Sequence, residues 1–104
     1  RIDDRQRAVL HVAAVFANNF SNHLFEISAQ VLEREDLPFD LLRPLIEETA
    51  AKVQTQRPAD MQTGPAIRGD RTTIERHLDF LDDQPRLRAL YRSLTELINP
   101  DIEL

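Results

Sequence analysis

The chain has 104 residues, a formal net charge of −5, an apolar fraction of 41% and no cysteine. These values argue against nucleic acid as a partner, because a phosphate backbone attracts concentrated basic surfaces and this acidic chain has none. The absence of cysteine excludes disulfides and thiolate metal sites and makes the cytoplasm the expected compartment. The length fits a single domain.

Helical patterns follow one another along the chain, and no segment alternates strictly enough between apolar and polar residues to predict a strand. The first helix is predicted from about Asp3 to Glu35, because the Leu37-Pro38 step then disfavours helix. Three more helices and one irregular segment complete the prediction: a helix from about Phe39 to Gln56, an irregular segment over 58–70, a helix around Ile74 to Leu81, and a helix around Leu87 to Ile98. Pro44 falls close to the first turn of the second helix, which allows a start one or two residues later. We therefore predict an all-α fold of about four helices with a long first helix.

The first helix contains no Asp, Glu, Lys or Arg between Ala8 and Phe25. On a straight helix with about 100° per residue, its apolar residues form one broad stripe. The stripe comprises Val9, Ala13, Phe16, Phe20, Leu24, Ile27 and Val31. The opposite side carries one row of His11, Asn18 and Asn22, and a second row of Asn19, His23 and Gln30. The segment is too polar for a membrane span, so no membrane partner is expected.

The predicted length of the first helix requires a partner. About 33 residues make a rod of roughly 50 Å, whereas a compact chain of this length is roughly 33 Å across. We therefore expect a second subunit or a further domain to cover the middle of the helix.

The neutral polar side chains of this helix have several interpretations. Neighbouring groups in the same protein usually satisfy buried Asn and His side chains. A cleft lined by such groups could instead orient a polar ligand, and a buried Asn could fix the register of an oligomer. His11 and His23 lie about 18 Å apart along a helix. They cannot share one ion, so no metal site is predicted.

The segment 63–70, "TGPAIRGD", contains both glycines of the chain, Gly64 and Gly69. Gly64-Pro65 predicts a turn, Gly69 permits a positive φ, and Asp70 can cap the following helix. Arg68 could bind a carboxylate or phosphate beside that helix end. Alternatively, Arg68 pairs with an acidic residue of the chain and the segment only turns a corner.

Four segments together resemble one bacterial family: "HVAAVFANNFSNHL" (11–24), "LPFDLLRPLIEETAAK" (37–52), "TGPAIRGDRTTIERHL" (63–78) and "LRALYRSL" (87–94). The family is the C-terminal helical half, known as domain of unknown function 2520, of NAD(P)-dependent oxidoreductases similar to pyrroline-5-carboxylate reductase and ketopantoate reductase. The resemblance covers nearly the whole chain. It implies a domain of the 6-phosphogluconate dehydrogenase C-terminal type that dimerises and forms one wall of the active-site cleft.

The resemblance also implies that an N-terminal Rossmann-like domain of the parent chain, absent from these residues, holds most of the NADP or NAD. Residues 1–104 would then be one helical C-terminal domain of a longer protein, in line with a first residue that is not Met. Related hydroxyacid dehydrogenases often carry a catalytic lysine one turn before an asparagine of this helix. This chain has Ala14 and Val15 there, and its sole lysine is Lys52.

Our hypothesis is the dimerising, substrate-side domain of an NAD(P)-dependent oxidoreductase, not catalytic by itself. It would form a homodimer through the first helix and act on a small polar or anionic substrate. The candidate catalytic residues are His11, Asn18 and Asn19, and the candidate substrate-binding residues are Asn22, His23 and Arg68. The loop or anion-site candidates are Gly64, Pro65, Gly69 and Asp70. The alternative is a non-enzymatic interaction module whose polar stripe sets dimer register.

Overall fold

A computed structural model describes all residues, 1–104, and contains helices and turns but no strand. The all-α prediction with a long first helix is therefore confirmed. The chain divides into two compact units, Arg1–Ala51 and Lys52–Leu104. Six α-helical segments occur: α1 (Asp4–Ala14), α2 (Ser21–Glu33), α3 (Arg43–Val53), α4 (Pro65–Arg68), α5 (Arg71–Phe80) and α6 (Pro85–Ile98).

The long first helix is continuous from α1 through a π-helical turn, Val15–Phe20, into α2. Asp3 starts it with a capping box: its carboxylate accepts from the backbone N–H of Gln6, while the Gln6 side chain accepts from the N–H of Asp3. Such reciprocal bonds satisfy amide groups that have no partner within the helix. No helix of the chain combines the length and apolar character that a membrane crossing requires.

The two halves of the long helix differ in what covers them. Every residue of α1 is exposed, whereas the later turns of α2 contact the 3₁₀ turn Phe39–Leu41. The half-buried residues of this region are Ile27, Ser28, Ala29, Leu32, Phe39, Leu42 and Ile46. The first unit therefore packs only around α2, and α1 has no apolar cover within the chain.

Helix α3 begins later than the sequence predicts. Pro38 is extended, with ψ of 145°, and residues 39–41 form the 3₁₀ turn before α3 starts at Arg43. Pro44 thus falls in the first turn of α3, where backbone N–H groups have no partner within the helix, so the missing N–H of proline costs no hydrogen bond.

The second unit contains more helix than expected over residues 58–70. A 3₁₀ turn, Pro58–Met61, and α4 occupy part of the segment predicted to be irregular. Pro65 accounts for the difference, because its fixed φ suits the first position of a helix.

The core of the second unit lies between α4, α5 and α6. Its buried residues are Ala66, Ile74, Leu78 and Thr95. Three polar contacts hold these helices together. The side chain of Asn99 donates to the carbonyl oxygen of Ala66 at 2.9 Å, His77 Nδ1 lies 2.7 Å from the hydroxyl of Tyr91, and Arg88 Nε donates to the carbonyl oxygen of Leu78 at 3.3 Å. His77 is therefore a helix-packing residue, and burial raises the pKa of the Tyr91 hydroxyl.

Candidate functional site

The candidate polar residues of the first unit share one feature, namely that none of their side chains has a partner within the chain. All five are exposed, and none forms a hydrogen bond, an ion pair or a ring contact. These residues are His11, Asn18, Asn19, Asn22 and His23. Imidazole and carboxamide groups both donate and accept hydrogen bonds, so this part of the helix offers neutral binding groups to another molecule.

A π-helical turn lies at the centre of this polar segment. It spans Val15–Phe20 and so contains both Asn18 and Asn19. The hydroxyl of Ser21 donates to the carbonyl oxygen of Phe16, five residues earlier, at 3.4 Å. The i→i+5 bonds of a π turn take up one more residue per turn than α-helical bonds. Everything after the turn is therefore rotated by about 100° relative to a straight helix.

This rotation changes which side chains share a face. On a straight helix, His11 and His23 would point in directions about 120° apart. If the π turn contains one extra residue, the two positions are three full turns apart, which is about 17 Å along the helix axis. On this ideal geometry Asn19 would fall on that face between them, and Asn18 with Asn22 on a neighbouring face. The two rows predicted from a straight helix stay predictions, and the π turn gives an alternative in which His11 lies with Asn19 and His23.

The apolar side chains of the long helix are exposed beside these polar groups. Phe16 is 65% exposed and Val12 59%, and the rings of Phe16 and Phe20 meet edge to face with centroids 5.2 Å apart. A shallow concavity on α1 is lined by Asp3, Arg5, Gln6, Val9, Leu10 and Ala13, and includes none of the candidate polar residues. Exposed apolar side chains grouped in this way are typical of surfaces that contact another protein.

The second set of candidates forms the corner between α4 and α5 in the second unit. Gly64 and Gly69 both have positive φ, 100° and 65°, which an L side chain rarely adopts. Asp70 caps α5: its carboxylate accepts from the backbone N–H of Thr73 at 3.1 Å and from the Thr73 hydroxyl at 2.7 Å. The expected turn, positive φ and helix cap are confirmed.

Arg68 has an acidic neighbour in this corner. Its Nη2 atom lies 3.8 Å from Oδ2 of Asp70, and both side chains are partly exposed. The Asp70 carboxylate also occupies the N-terminus of α5, where an external anion would otherwise bind. This geometry favours the pairing of Arg68 within the chain, so its role as an anion anchor stays a proposal.

The acid stability of this corner depends on Asp70. The hydrogen bonds from Thr73 lower the pKa of the Asp70 carboxyl below its ordinary value, and the nearby Arg68 guanidinium acts in the same direction. A lowered pKa in the folded state contributes stability that is present above the unfolded pKa and lost as the pH falls through about 4 and below.

Replacing Asp70 with Asn should therefore flatten the fall in unfolding temperature between about pH 5 and pH 2. Thermal unfolding across that range checks this, and an unchanged slope would contradict it.

Metal-ligating side chains are not brought together. No group of three or more His, Cys, Asp or Glu side chains could hold an ion.

Residue Ser21 was not singled out by the sequence. A serine within a helix carries no signal for a π turn, because the wide turn depends on backbone bonding and not on residue type. Only the structure shows that its hydroxyl contacts the carbonyl of Phe16.

Comparison with known proteins agrees with the all-α fold. Residues 1–98 match the family described as "Domain of unknown function (DUF2520)", and the chain belongs to that family. A solved structure, "putative NADP oxidoreductase BF3122 from Bacteroides fragilis", is 47% identical over 94% of this chain, with a TM-score of 0.92. The chain spans only 38% of the length of that protein. No curated protein matches the sequence.

Proposed function

We propose that this chain is the dimerising, substrate-side domain of a two-domain oxidoreductase that uses NADP or NAD. The observation that carries the proposal is the exposed, charge-free middle of the long helix, with five neutral hydrogen-bonding side chains that lack partners. Its support is the similarity to an NADP oxidoreductase. A helix of this kind is suited to an interface with substrate on one side and protein on the other.

The cofactor would be held mainly by another domain of the parent protein. This chain has no glycine pattern that could cradle phosphates, and its net charge is −5. Its unpartnered Asn and His side chains fit the uncharged parts of a dinucleotide or a substrate instead. The relative from Bacteroides fragilis is much longer than the match, which leaves room for a Rossmann-like domain.

The occupant proposed for the apolar face of the long helix is a second copy of the same chain. The α1 residues Val9, Leu10 and Val12 are each more than half exposed. A helix pair formed by two copies would bury these residues without bringing charges together, because the segment Ala8–Phe25 has none. Such a dimer would also bring the polar side chains of both long helices close to the same interface.

The reaction supported by these residues is hydride transfer to or from a small polar substrate. A nicotinamide cofactor, when bound, would donate or accept that hydride. Asn18, Asn19 and Asn22 would orient the reacting carbonyl or hydroxyl by hydrogen bonds. An imidazole can donate and accept a proton, so His11 is the proposed general acid, with His23 of the same helix holding the substrate. A lysine mechanism is not proposed, since Ala14 and Val15 occupy the corresponding turn.

The proposal is tested by titrating NADPH and NADH into the intact parent protein. Saturable binding at micromolar concentration supports an oxidoreductase, and the nucleotide that binds more tightly identifies the cofactor. A folded parent that binds neither nucleotide would overturn the proposal.

Asn18 and Asn19 provide the second test. Replacing either with leucine should lower kcat about a hundredfold, the usual effect of removing a hydrogen-bond donor used in the transition state. The fold should be retained, because both side chains are exposed and unpartnered in the chain. NADPH oxidation with the substrate found by screening small carbonyl compounds measures the effect. Gln54→Leu, at another exposed polar position, should retain wild-type turnover, and unaltered turnover in both asparagine variants would remove their proposed role.

The alternative function is a non-enzymatic interaction module. The same exposed helix supports it, since a polar row can fix the register of two packed helices. In that case the two asparagine variants should change oligomeric state or stability without any effect on nucleotide binding.

A further inference from the structure

Helix α6 of the second unit has an apolar face that the chain leaves exposed. The helix is regular from Pro85 to Ile98, so residues spaced by three and four lie on one side of it. Leu90, Leu94 and Leu97 have this spacing, and each is more than a third exposed, Leu97 by 77%. We call these three residues the leucine stripe.

The leucine stripe is not the side by which α6 packs in its own unit. Thr95 is buried, Arg88 Nε donates to the carbonyl oxygen of Leu78 at 3.3 Å, and Arg92 Nη2 donates to that of Leu104 at 3.2 Å. The three α6 residues of these contacts lie about 160° around the helix from the stripe. Leucines grouped on the free side are typical of a surface that contacts another protein.

Charged residues at the two ends of the stripe indicate its partner. Arg86 lies four residues before Leu90, and Asp101 lies four residues after Leu97. Both are exposed, and neither side chain forms an ion pair within the chain. A second α6 in antiparallel orientation, with Leu90 of one copy opposite Leu97 of the other, would bring Arg86 and Asp101 together at both ends. This orientation also sets the positive N-terminal end of each helix beside the negative C-terminal end of the other.

We propose that the leucine stripe is a docking surface for α6 of a second copy of this chain, in antiparallel orientation. The long helix matches the stripe less well, because it has no charged residue between Ala8 and Phe25 to face Arg86 or Asp101. The contact is separate from the dimer proposed above and does not depend on a nucleotide. Three leucines on each side make a small interface, so we expect a dissociation constant on the order of 100 µM.

Sedimentation equilibrium of the intact parent protein between about 5 and 500 µM measures this contact. The mass in dilute solution reports the tighter interfaces, and we expect it to double at the highest concentrations. Leu97→Glu places an unpaired carboxylate between the two helices and should weaken the association at least a hundredfold. Ala89→Glu adds the same charge to the same helix at an exposed position outside the stripe, and should associate like the wild type.

Charge reversal tests the orientation. Arg86→Glu and Asp101→Arg should each weaken the association about tenfold, because like charges then meet at both ends of the pair. The double variant brings opposite charges together again and should recover the association of the wild type. These variants keep all three leucines, so they decide the question if Leu97→Glu does not fold.

A constant mass up to about 500 µM would overturn the inference. So would a Leu97→Glu variant that associates like the wild type, or one that already lowers the mass in dilute solution, because the stripe would then belong to a tighter interface. Single reversals without effect, or a double variant that does not recover, would contradict the antiparallel pairing. The nucleotide titration described above tests the proposed function separately, since none of these measurements includes a nucleotide.

Discussion

Replacing Phe16 with glutamate should convert the proposed dimer of the parent protein into monomers. Phe16 is 65% exposed in the single chain and contacts only the ring of Phe20 among aromatic neighbours, so its replacement leaves the core of its own unit intact. In the proposed dimer the new carboxylate would be buried in a segment without any cation. An unpaired buried charge of this kind costs about 3–5 kcal/mol. The dissociation constant should therefore rise between a hundred- and several thousandfold.

Sedimentation velocity over a range of protein concentrations measures this effect. Gln54→Glu adds the same charge at an exposed polar position outside the long helix and should leave the dimer unchanged. If Phe16→Glu dimerises as tightly as the wild type, the interface does not include the long helix.

Replacing Ile74 with alanine should cause the largest loss of stability in the second unit. Ile74 is the fully buried side chain of that unit, with no exposed surface, and lies on α5 among Ala66 and Leu78. Removing a buried aliphatic side chain loses its transfer free energy and leaves a cavity. The free energy of unfolding should therefore fall by about 2–5 kcal/mol.

Chemical denaturation of the chain provides the measurement. Ile67→Ala makes the same chemical change in the same unit at a side chain that is 47% exposed, and should cost less than about 1 kcal/mol. Equal losses in the two variants would show that the packing between α4, α5 and α6 does not stabilise the unit in the way described.

Much of the fold was predictable because its signals are local. The periodicity of apolar residues predicts the long helix, and the combination of Asp70 with Gly69 predicts the start of α5. The boundaries of α3 and α4 were predicted less well than the other helix ends. Pro44 and Pro65 lie at the beginning of these two helices, where proline is favoured, whereas proline further along would end a helix.

The geometry of the candidate site was less accessible. The sequence identifies His11, Asn18 and Asn19 as unusual residues, because the surrounding segment lacks charge. It cannot show which of them share a face, since that depends on the π turn between them. A π turn is a backbone arrangement that no particular composition announces, and so the sequence alone predicts the rows of a straight helix.

In the proposed dimer, the complete exposure of α1 within one chain would couple the folding of the first unit to its assembly. The 11 residues of α1 extend the long helix beyond the part that packs in the first unit, and none of them is buried. Without tertiary packing, helix in water is only marginally stable. The order of α1 in solution must therefore depend on whatever covers it. By mass action, the unfolding temperature of a dimer built in this way rises with protein concentration. In dilute solution, α1 would be the first element to exchange its amide hydrogens with solvent.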